Sequence, residues 1–554
     1  MTGIEAFLEV LAGAGVRHIF GNPGSTELPL NDALSRDPRF EYIFGIHEIP
    51  VMAAAGGFAM ASGRPAVVNL HTLAGLCNAM GMLSNSFHEG TPLLVTAGQQ
   101  DTRLRFDEPV IEGDLVRVAR PLVKWAAEVN RVEDMPNAVR RALQIAMAPP
   151  TGPVFLSLPL DVQQASADNL DTSPPWRPDG HVRPAPDALH RTADILASAA
   201  NPVILAGSRV TETNGCNELA AMAECLGAPV YAESAASHGR LPMASHHPLY
   251  RGPISHWSPE IHRTLAQHDL AFVVGMNFLR LYIHMDPVNP LPPGLRVVHL
   301  DNHVREIGKN FSIEMGLFCD PKAGLNDLLH EVRARLSPTQ CEAIAIRNMD
   351  AEIAAEEMRR ALRADLDREL VSHPMTGRAL MHTLAKVLPP NAAVIEEAPS
   401  THGNLWEKLG ILRDPNAFFA HRGWALGWGI GTALGVKLAW PNRPVLALLG
   451  DGATLYGLQG LWTAARHRIP VTFVVCNNSR YQVLQLCGDV MNLPSLRTPA
   501  VTGMTLGDPA VDFVALARSL GVEAFRATTP EELAEHTRYG LAHNLPVLID
   551  AVIA

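Results

Sequence analysis

The sequence predicts an α/β protein built from three doubly wound domains with parallel sheets. Two observations predict this class: short apolar segments alternate with helical segments, and the alternation restarts twice after breaker-rich or charged stretches. Strands that alternate with helices form parallel sheets that are covered on both faces. A chain of 554 residues also exceeds what one hydrophobic core usually organises. We therefore expect domains at 1–175, 185–340 and 365–554.

The first domain begins with a helix. Thr2 and Glu5 have capping-box spacing, and the apolar residues Ile4, Phe7 and Leu11 repeat with the period of a helix. Further helices are predicted at 49–62 and 74–88. Strands are predicted at 17–20, 42–46, 66–70, 93–97 and 153–158.

Two interruptions separate the remaining domains. Residues 171–186 are rich in proline and read as a linker, and residues 339–370 are charged and helical. Strands of the second domain are predicted at 202–206, 228–231, 271–275 and 296–300. Strands of the third domain are predicted at 393–396, 444–449, 471–476 and 546–552.

Charge and cysteine content exclude several classes of protein. The net charge of −11 argues against a nucleic-acid groove. The seven cysteines form no C-x-x-C pair and no zinc spacing, which fits a reducing compartment. There is no signal-peptide pattern at the N-terminus and no apolar run that could span a bilayer. We expect a soluble, cytoplasmic protein without a nucleic-acid or membrane partner.

The strongest functional signal is Gly450-Asp451-Gly452, followed after twenty-four residues by Asn477-Asn478. Each fragment ends an apolar strand, so both lie at the carboxyl edge of a parallel sheet, where such sheets bind ligands. One carboxylate, one amide oxygen and a nearby backbone carbonyl make a site of the kind that Mg²⁺ prefers. The glycines also allow close approach of a diphosphate. Singly, the fragments would be a turn and a helix cap; together they favour a site.

This motif resembles the magnesium–diphosphate motif of the thiamine-diphosphate-dependent enzymes. The resemblance implies that Asp451, the Asn478 side chain and the Arg480 backbone carbonyl bind the metal ion. It also places Glu48 where the family has a glutamate that hydrogen-bonds the aminopyrimidine ring and promotes proton transfer within the cofactor. Alone, a glutamate at a helix start would be a surface residue that complements the helix dipole. Further implied cofactor contacts are Thr401, Leu426, Gly450, Gly452, Ala453 and Tyr481.

Within that family, long segments are similar to the benzoylformate decarboxylases. They are residues 20–29, 69–81, 95–100, 120–125 and 461–465. The resemblance covers nearly the whole chain and implies the thiamine-diphosphate-binding fold of the decarboxylase type. It implies a pyrimidine-binding first domain, a central domain and a diphosphate-binding third domain. It also implies a homotetramer, with a homodimer as the minimal active unit because each site lies between two subunits.

Two polar residues of these segments are expected to act on the substrate. Ser25 would contact the substrate carboxylate, and His71 would transfer protons. Without the resemblance, Ser25 would be a helix cap and His71 a hydrogen-bonded histidine at a strand end. His284 is a third candidate, but it stands two residues before Asp286-Pro287 where the family has three. A slip of one residue can turn a side chain the other way.

The predicted substrate wall departs from the family. Leu484 fits the pocket leucine, whereas Cys487 stands where an aromatic residue would close the pocket over a phenyl ring. Val483 replaces a smaller residue. Specificity for a phenyl ring therefore does not transfer directly to this chain.

The leading functional hypothesis is decarboxylation of a benzoylformate-like 2-oxo acid to an aldehyde and CO₂. The alternative is a carboligase or lyase of the acetolactate-synthase type, which forms or cleaves 2-hydroxyketones. A flavin-dependent oxidase and a catalytically silent cofactor-binding protein are the remaining hypotheses. Fold alone does not choose among them, because function depends on the site.

Overall fold

The computed structural model describes residues 1–175, 179–234, 239–402, 404–497 and 501–554. It contains three six-stranded sheets, one from each third of the chain. Every strand pair described within them is parallel. The predicted fold class is confirmed.

The chain divides into two compact units. The first comprises Met1–Pro178, Ala393–Ser400 and Gly423–Ile553, and the second comprises Asp179–Ala392 and Thr401–Arg422 with the last residue. The predicted domain bounds stay predictions.

Strands of the first sheet have the order β2-β1-β3-β4-β6-β5. They are β1 (His18–Gly21), β2 (Glu41–Phe44), β3 (Ala66–Leu70), β4 (Leu93–Gln99), β5 (Ala126–Glu128) and β6 (Val154–Pro159). The second sheet has the order β12-β11-β10-β7-β8-β9. Its strands are β7 (Pro202–Ala206), β8 (Val230–Ala232), β9 (Tyr250–Pro253), β10 (Leu270–Val274), β11 (Arg296–Asp301) and β12 (Met315–Phe318).

The third sheet supplies the strands that carry the predicted metal motif. Its strands are β13 (Ala393–Glu397), β14 (Phe418–Ala420), β15 (Val445–Gly450), β16 (Thr472–Asn477), β17 (Glu523–Ala527) and β18 (Val547–Val552). Five of them lie in the first unit in the order β13-β15-β16-β18-β17.

Helices lie between most consecutive strands of the described chain. Those of the first third are α1 (Gly3–Gly13), α2 (Leu28–Arg36), α3 (Glu48–Ser62), α4 (Thr72–Glu89), α5 (Leu115–Ala119), α6 (Met135–Met147) and α7 (Leu160–Gln164). The middle third has α8 (Pro186–Ala197), α9 (Ser208–Glu212), α10 (Cys216–Leu226), α11 (Ser258–Leu265), α12 (Pro321–Arg333) and α13 (Pro338–Glu369). The last third has α14 (Gly377–Val387), α15 (Pro399–His402), α16 (Leu405–Leu409), α17 (Trp428–Ala439), α18 (Asp451–Gly457), α19 (Gly460–Arg466), α20 (Gln482–Val490), α21 (Phe513–Ser519) and α22 (Pro530–Ala542).

The capping box and the apolar face of α1 have the predicted roles. The backbone N–H of Thr2 donates to Glu5 Oε2 at 2.9 Å, and the backbone N–H of Glu5 donates to Thr2 Oγ1 at 3.3 Å. Phe7 and Leu11 are fully buried and pack in one cluster with residues of α6 and the first sheet. Among the described residues, no helix is both long and apolar enough to cross a membrane.

Helices α3 and α17 pack closely along each other within this one chain. A Cβ added at Gly57 would lie 2.2 Å from the carbonyl oxygen of Thr432, and one at Gly435 would lie 1.9 Å from that of Ala54. A side chain at either glycine would therefore force the helices apart. Because α3 begins at Glu48 and α17 begins two residues after Leu426, the packing sets the positions of these two predicted site residues.

Candidate active site

Most of the predicted site residues follow strands of the first and third sheets. Glu48 follows β2, His71 follows β3, Asp451 follows β15 and Asn478 follows β16. Strands β15 and β16 pair in register, with Gly450 opposite Cys476. Such carboxyl edges are where open α/β sheets bind ligands.

Glu48 is held by two amide side chains. It is the first residue of α3 and only 5% exposed. The side-chain N–H groups of Asn22 and Asn78 donate to Glu48 Oε1 at 3.0 Å and Oε2 at 3.1 Å, respectively. The carboxylate is thus fixed from two sides, by the loop after β1 and by α4. Each oxygen keeps a lone pair for a further donor, as a cofactor-binding carboxylate requires.

His71 is held by a glutamate that the sequence analysis did not single out. Glu27 Oε2 lies 2.7 Å from His71 Nδ1, and the Glu27 side chain is only 1% exposed. Since Glu27 also accepts hydrogen bonds from two backbone N–H groups, it acts as the acceptor, so we assign the proton to Nδ1. His71 Nε2 is then left to exchange a proton with a substrate.

Gly24 completes this turn by close approach to the imidazole. A Cβ added at Gly24 would lie 2.2 Å from His71 Nδ1. The next residue, Ser25, is exposed and begins a short 3-10 turn that ends at Glu27. Its hydroxyl makes no hydrogen bond within the part of the chain that the structure describes. An exposed hydroxyl beside an oriented imidazole is free to bind a substrate carboxylate.

Asp451 lies against the loop that carries Asn478. Its Oδ1 accepts from the backbone N–H of Gly452 at 2.7 Å. Burial raises the pKa of the Asp451 carboxyl, whereas the backbone N–H groups of Gly452 and of residues 478–480 lower it. The structure therefore brings the two halves of the predicted metal motif together.

These residues fit a magnesium ion. Asp451 Oδ2 is buried and has no hydrogen-bond partner among the described residues. Asn478 Oδ1 and the Arg480 carbonyl each accept one backbone N–H, at 3.1 and 3.0 Å, which leaves each a second lone pair. No group of three or more His, Cys, Asp or Glu side chains in the described ranges could hold a metal ion. A sparse, oxygen-only donor set of this kind suits Mg²⁺ completed by phosphate and water.

The other predicted cofactor residues are placed around the same edge. Leu426 is half-buried beside the N-terminus of α17, and Gly450 and Ala453 flank Asp451. Gly452 lies against the ring of Tyr481, since an added Cβ would be 2.4 Å from its Cε1. In the predicted substrate wall, α20 carries Leu484, which is 42% exposed, and Cys487, which is half-buried.

Two predicted site residues belong to the second unit. His284 is exposed in an irregular segment after β10, and Thr401 is half-buried in α15. Their roles stay predictions, as do those of the other site residues.

The carboxyl edge of the second sheet carries a buried ion pair. Arg209, which follows β7, donates through Nε and Nη2 to the two carboxylate oxygens of Asp301 at 2.7 Å each. Its Nη1 donates to Asn277 Oδ1 at 2.9 Å. Arg209 and Asp301 are 6% and 0% exposed. Each of these two charges is therefore already neutralised by a protein side chain.

Several side chains that position the site were not among the predicted residues. Asn22, Glu27 and Asn78 lie inside the segments that carry the resemblance, but only their partners were singled out. Glu397 ends β13 and accepts three backbone N–H groups at the start of α17. A polar residue at the end of an apolar strand was the available signal for Glu397.

Family models match all three thirds of the chain. A family model described as "Thiamine pyrophosphate enzyme, N-terminal TPP binding domain" matches residues 1–112. The corresponding central-domain model matches residues 189–328, and the C-terminal TPP-binding-domain model matches residues 402–551.

Relatives match over the full length. A benzoylformate decarboxylase of Pseudomonas aeruginosa is 34% identical over 551 residues, covering 99% of this chain and 98% of the relative. A probable acetolactate synthase large subunit of Methanocaldococcus jannaschii is 28% identical, covering 100% of this chain and 92% of the relative.

Solved structures are similar as well. A thiamine diphosphate-dependent 4-hydroxybenzoylformate decarboxylase of Rhodococcus jostii RHA1 superposes with a TM-score of 0.87 at 29% identity, covering 100% of this chain and 99% of that one. A benzoylformate decarboxylase of Polynucleobacter necessarius superposes with a TM-score of 0.87 at 28% identity, covering 100% and 98%.

Proposed function

Because this chain belongs to the family of thiamine-diphosphate-dependent enzymes, we propose that it decarboxylates a benzoylformate-like 2-oxo acid to an aldehyde and CO₂. The observation that carries this proposal is the turn of residues 24–27, in which an exposed serine precedes a buried glutamate that holds His71. Cofactor binding is common to the family and does not distinguish its reactions. This turn adds a hydroxyl that can bind a substrate carboxylate and a glutamate that orients the His71 imidazole for proton transfer.

Two side chains, those of Ser25 and His71, act directly on the substrate. The Ser25 hydroxyl donates a hydrogen bond to the substrate carboxylate and so orients the bond that breaks. His71 takes up or gives a proton at Nε2, while Glu27 holds Nδ1 and orients the ring. An oriented imidazole of this kind contributes about 10²–10⁴ in rate.

The cofactor is held by the residues at the sheet edges. When bound, thiamine diphosphate supplies a carbon nucleophile and an electron sink. Glu48 would hold the proton-exchanging aminopyrimidine, and Leu426 would support the cofactor rings. We propose that Asp451, the Asn478 side chain and the Arg480 carbonyl hold Mg²⁺. This is supported by Asp451 Oδ2, which has no hydrogen-bond partner in the described part of the chain.

We further propose a cytoplasmic homotetramer with a homodimer as its minimal active unit. All seven cysteines are free, which suits a reducing compartment. Phe106 and Val110 are 98% and 82% exposed in one loop, and exposed apolar clusters of this kind mark interfaces.

Whether one site draws on two chains can be measured by mixing two inactive variants. We expect a Glu48→Gln chain and an Asp451→Asn chain, unfolded and refolded together, to regain activity, since each mixed dimer would contain one intact site. The alternative is that one chain supplies the whole site, as the close packing of α3 on α17 within one chain would allow. No regained activity, together with an active monomer in light scattering, would contradict the proposed dimer.

A substrate panel tests the decarboxylase assignment. Purified protein loaded with thiamine diphosphate and Mg²⁺ is given benzoylformate, 4-hydroxybenzoylformate and pyruvate, and aldehyde release is measured. We expect release from an aryl substrate, and a rise in KM in Ser25→Ala because the carboxylate loses a donor. Equal KM values for the unmodified protein and for Ser25→Ala would show that Ser25 does not bind the substrate.

The second candidate function is carboligation of the acetolactate-synthase type. It is favoured by the relatives of that description, which are less similar to this chain than the decarboxylase of Pseudomonas aeruginosa. A chiral 2-hydroxyketone formed from two carbonyl substrates, with little free aldehyde, would establish it in place of decarboxylation.

A further inference from the structure

The segment that carries Leu426 is held on both sides by buried polar side chains. Residues 423–427 connect the end of the second unit to α17 and have no regular secondary structure. Such a segment needs outside contacts to hold one conformation. Asn85 of α4 and Glu397 of β13 supply these contacts, and they are 0% and 1% exposed.

Asn85 binds the peptide groups before Leu426. Its Nδ2 donates to the carbonyl oxygen of Ala425 at 2.8 Å, and its Oδ1 accepts from the backbone N–H of Ala425 at 3.0 Å. Gly423 packs directly on the same side chain, since an added Cβ would lie 2.4 Å from Asn85 Oδ1. One asparagine therefore satisfies both backbone groups of the residue before Leu426.

Glu397 binds the peptide groups after Leu426. Its Oε1 accepts from the backbone N–H groups of Gly427 at 2.9 Å and Trp428 at 3.1 Å, and its Oε2 accepts from that of Gly429 at 2.8 Å. The first turn of a helix leaves such N–H groups unsatisfied, and α17 has no side-chain cap of its own. The Glu397 carboxyl group serves as that cap from a neighbouring strand.

The conformation between these two contacts is confined to a narrow range. Gly427 has a φ of +93°, and an added Cβ would lie 2.9 Å from the backbone of Tyr456. The left-handed backbone and the close approach both require glycine at this position. With Ala425 and Gly427 fixed, little freedom is left to the residue between them.

We propose that Asn85 and Glu397 are positioning residues that set the place of Leu426 beneath the cofactor. The inference rests on the proposed function, because the contact of Leu426 with thiamine diphosphate is part of that proposal. Neither side chain is assigned to the cofactor or the substrate; both act through the backbone on either side of Leu426. Loss of either contact would let Leu426 shift and would weaken cofactor binding.

The test is a double-mutant cycle read by cofactor affinity. The Kd for thiamine diphosphate at fixed Mg²⁺ is measured by tryptophan fluorescence in Asn85→Ala and Glu397→Ala, each alone and combined with Leu426→Ala. We expect each single change to raise Kd by at least about tenfold in the presence of Leu426, and by less than about twofold in its absence. Equal effects in both backgrounds would overturn the inference.

Three further variants separate positioning from general damage to the fold. Asn85→Asp keeps the volume but loses the donor to Ala425, and should also raise Kd. Glu397→Gln keeps one oxygen for two of the three N–H groups, and should recover most of the affinity. Asp320→Ala is the matched control, because Asp320 is 6% exposed and caps α12 through the backbone N–H of Ala323 at 2.9 Å. A similar rise in Kd in this control would count against a specific role.

The same experiment distinguishes this inference from the proposed function. If the unmodified protein binds no thiamine diphosphate, the proposed function fails. If it binds the cofactor and the two variants bind it equally well, only the positioning role of Asn85 and Glu397 fails. Thermal unfolding followed by circular dichroism shows which variants are folded. Asn85→Asp carries the test if the alanine variants are not folded.

Discussion

Replacing Glu27 by glutamine removes the acceptor that fixes His71 while keeping the side-chain volume. Glu27 Oε1 accepts from Thr26 Oγ1 at 2.8 Å and from the backbone N–H of Gly98 at 2.9 Å. Oε2 accepts from the backbone N–H of Gly24 at 2.9 Å and from His71 Nδ1 at 2.7 Å. In glutamine, one of these two oxygens becomes an NH₂ donor.

Either orientation of the amide leaves one buried backbone N–H without an acceptor. Thr26 and His71 can adapt, since a hydroxyl and the other tautomer of the imidazole can accept. The N–H of Gly98 or of Gly24 cannot adapt, and leaving it unsatisfied costs about 1–3 kcal/mol. We expect Glu27→Gln to lower the free energy of unfolding by this amount.

Activity should fall by more than stability alone explains. When the NH₂ group faces His71, the proton of the imidazole moves to Nε2, which can then no longer accept one. We expect kcat to fall by about 10–100-fold, below the full contribution of an acid–base group. Cofactor affinity should change little, because Glu48 and Asp451 are untouched.

Urea unfolding and single-turnover CO₂ release measure the two effects. Glu89→Gln is the matched control: Glu89 is 6% exposed and accepts from Thr91 Oγ1 at 3.2 Å. A Glu27→Gln protein with unchanged kcat, beside a His71→Ala protein that is inactive, would refute the orienting role of Glu27.

Three further predictions follow from single positions. Gly24→Ala should lower kcat with little change in the Kd for thiamine diphosphate, since the new Cβ would lie 2.2 Å from His71 Nδ1. Stopped-flow turnover measures kcat, and fluorescence titration measures the Kd. Asp451→Asn should raise the Mg²⁺ concentration for half-maximal cofactor binding by at least about tenfold, because the site loses its one charged ligand. An unchanged Mg²⁺ requirement in a metal titration would contradict this. Burial raises the pKa of Glu397 to about 8, so its ionisation is harder in the folded than in the unfolded chain. The free energy of unfolding should therefore fall as the pH rises from 5 to 8, and fall less in Glu397→Gln; parallel pH profiles of the two proteins would refute the assignment.

The central strands could be predicted from the sequence because they are buried on both faces. Strand β7 was predicted at its observed bounds, Pro202–Ala206, and all five of its residues are buried. An uninterrupted apolar run is a strong local signal. The predicted fold class followed from the alternation of such runs with helices.

All five strands that were missed lie at the edges of the three sheets. They are β5, β9, β12, β14 and β17. Four of them contain half-exposed or exposed residues, and β5, β9, β12 and β14 have only three or four residues. A short strand with one protected side lacks the apolar run that identifies a central one.

The candidate site could be predicted where a functional residue directly follows an apolar strand. Asp451 and Asn478 were found because each directly follows a strand, and the structure brings their loops together. Glu27 and Asn85 could not be found in this way. Their partners lie 44 and 340 residues away, so their contacts depend on tertiary packing that no local pattern encodes.

Cofactor-dependent CO₂ release from benzoylformate tests the account most directly. The purified protein is assayed with and without added thiamine diphosphate and Mg²⁺. We expect release only with both present, which would establish the decarboxylase and show that Cys487 leaves room for an aryl ring. Release that does not depend on the cofactor would contradict the account. Absence of release from benzoylformate and from 4-hydroxybenzoylformate, with the cofactor bound, would equally contradict it.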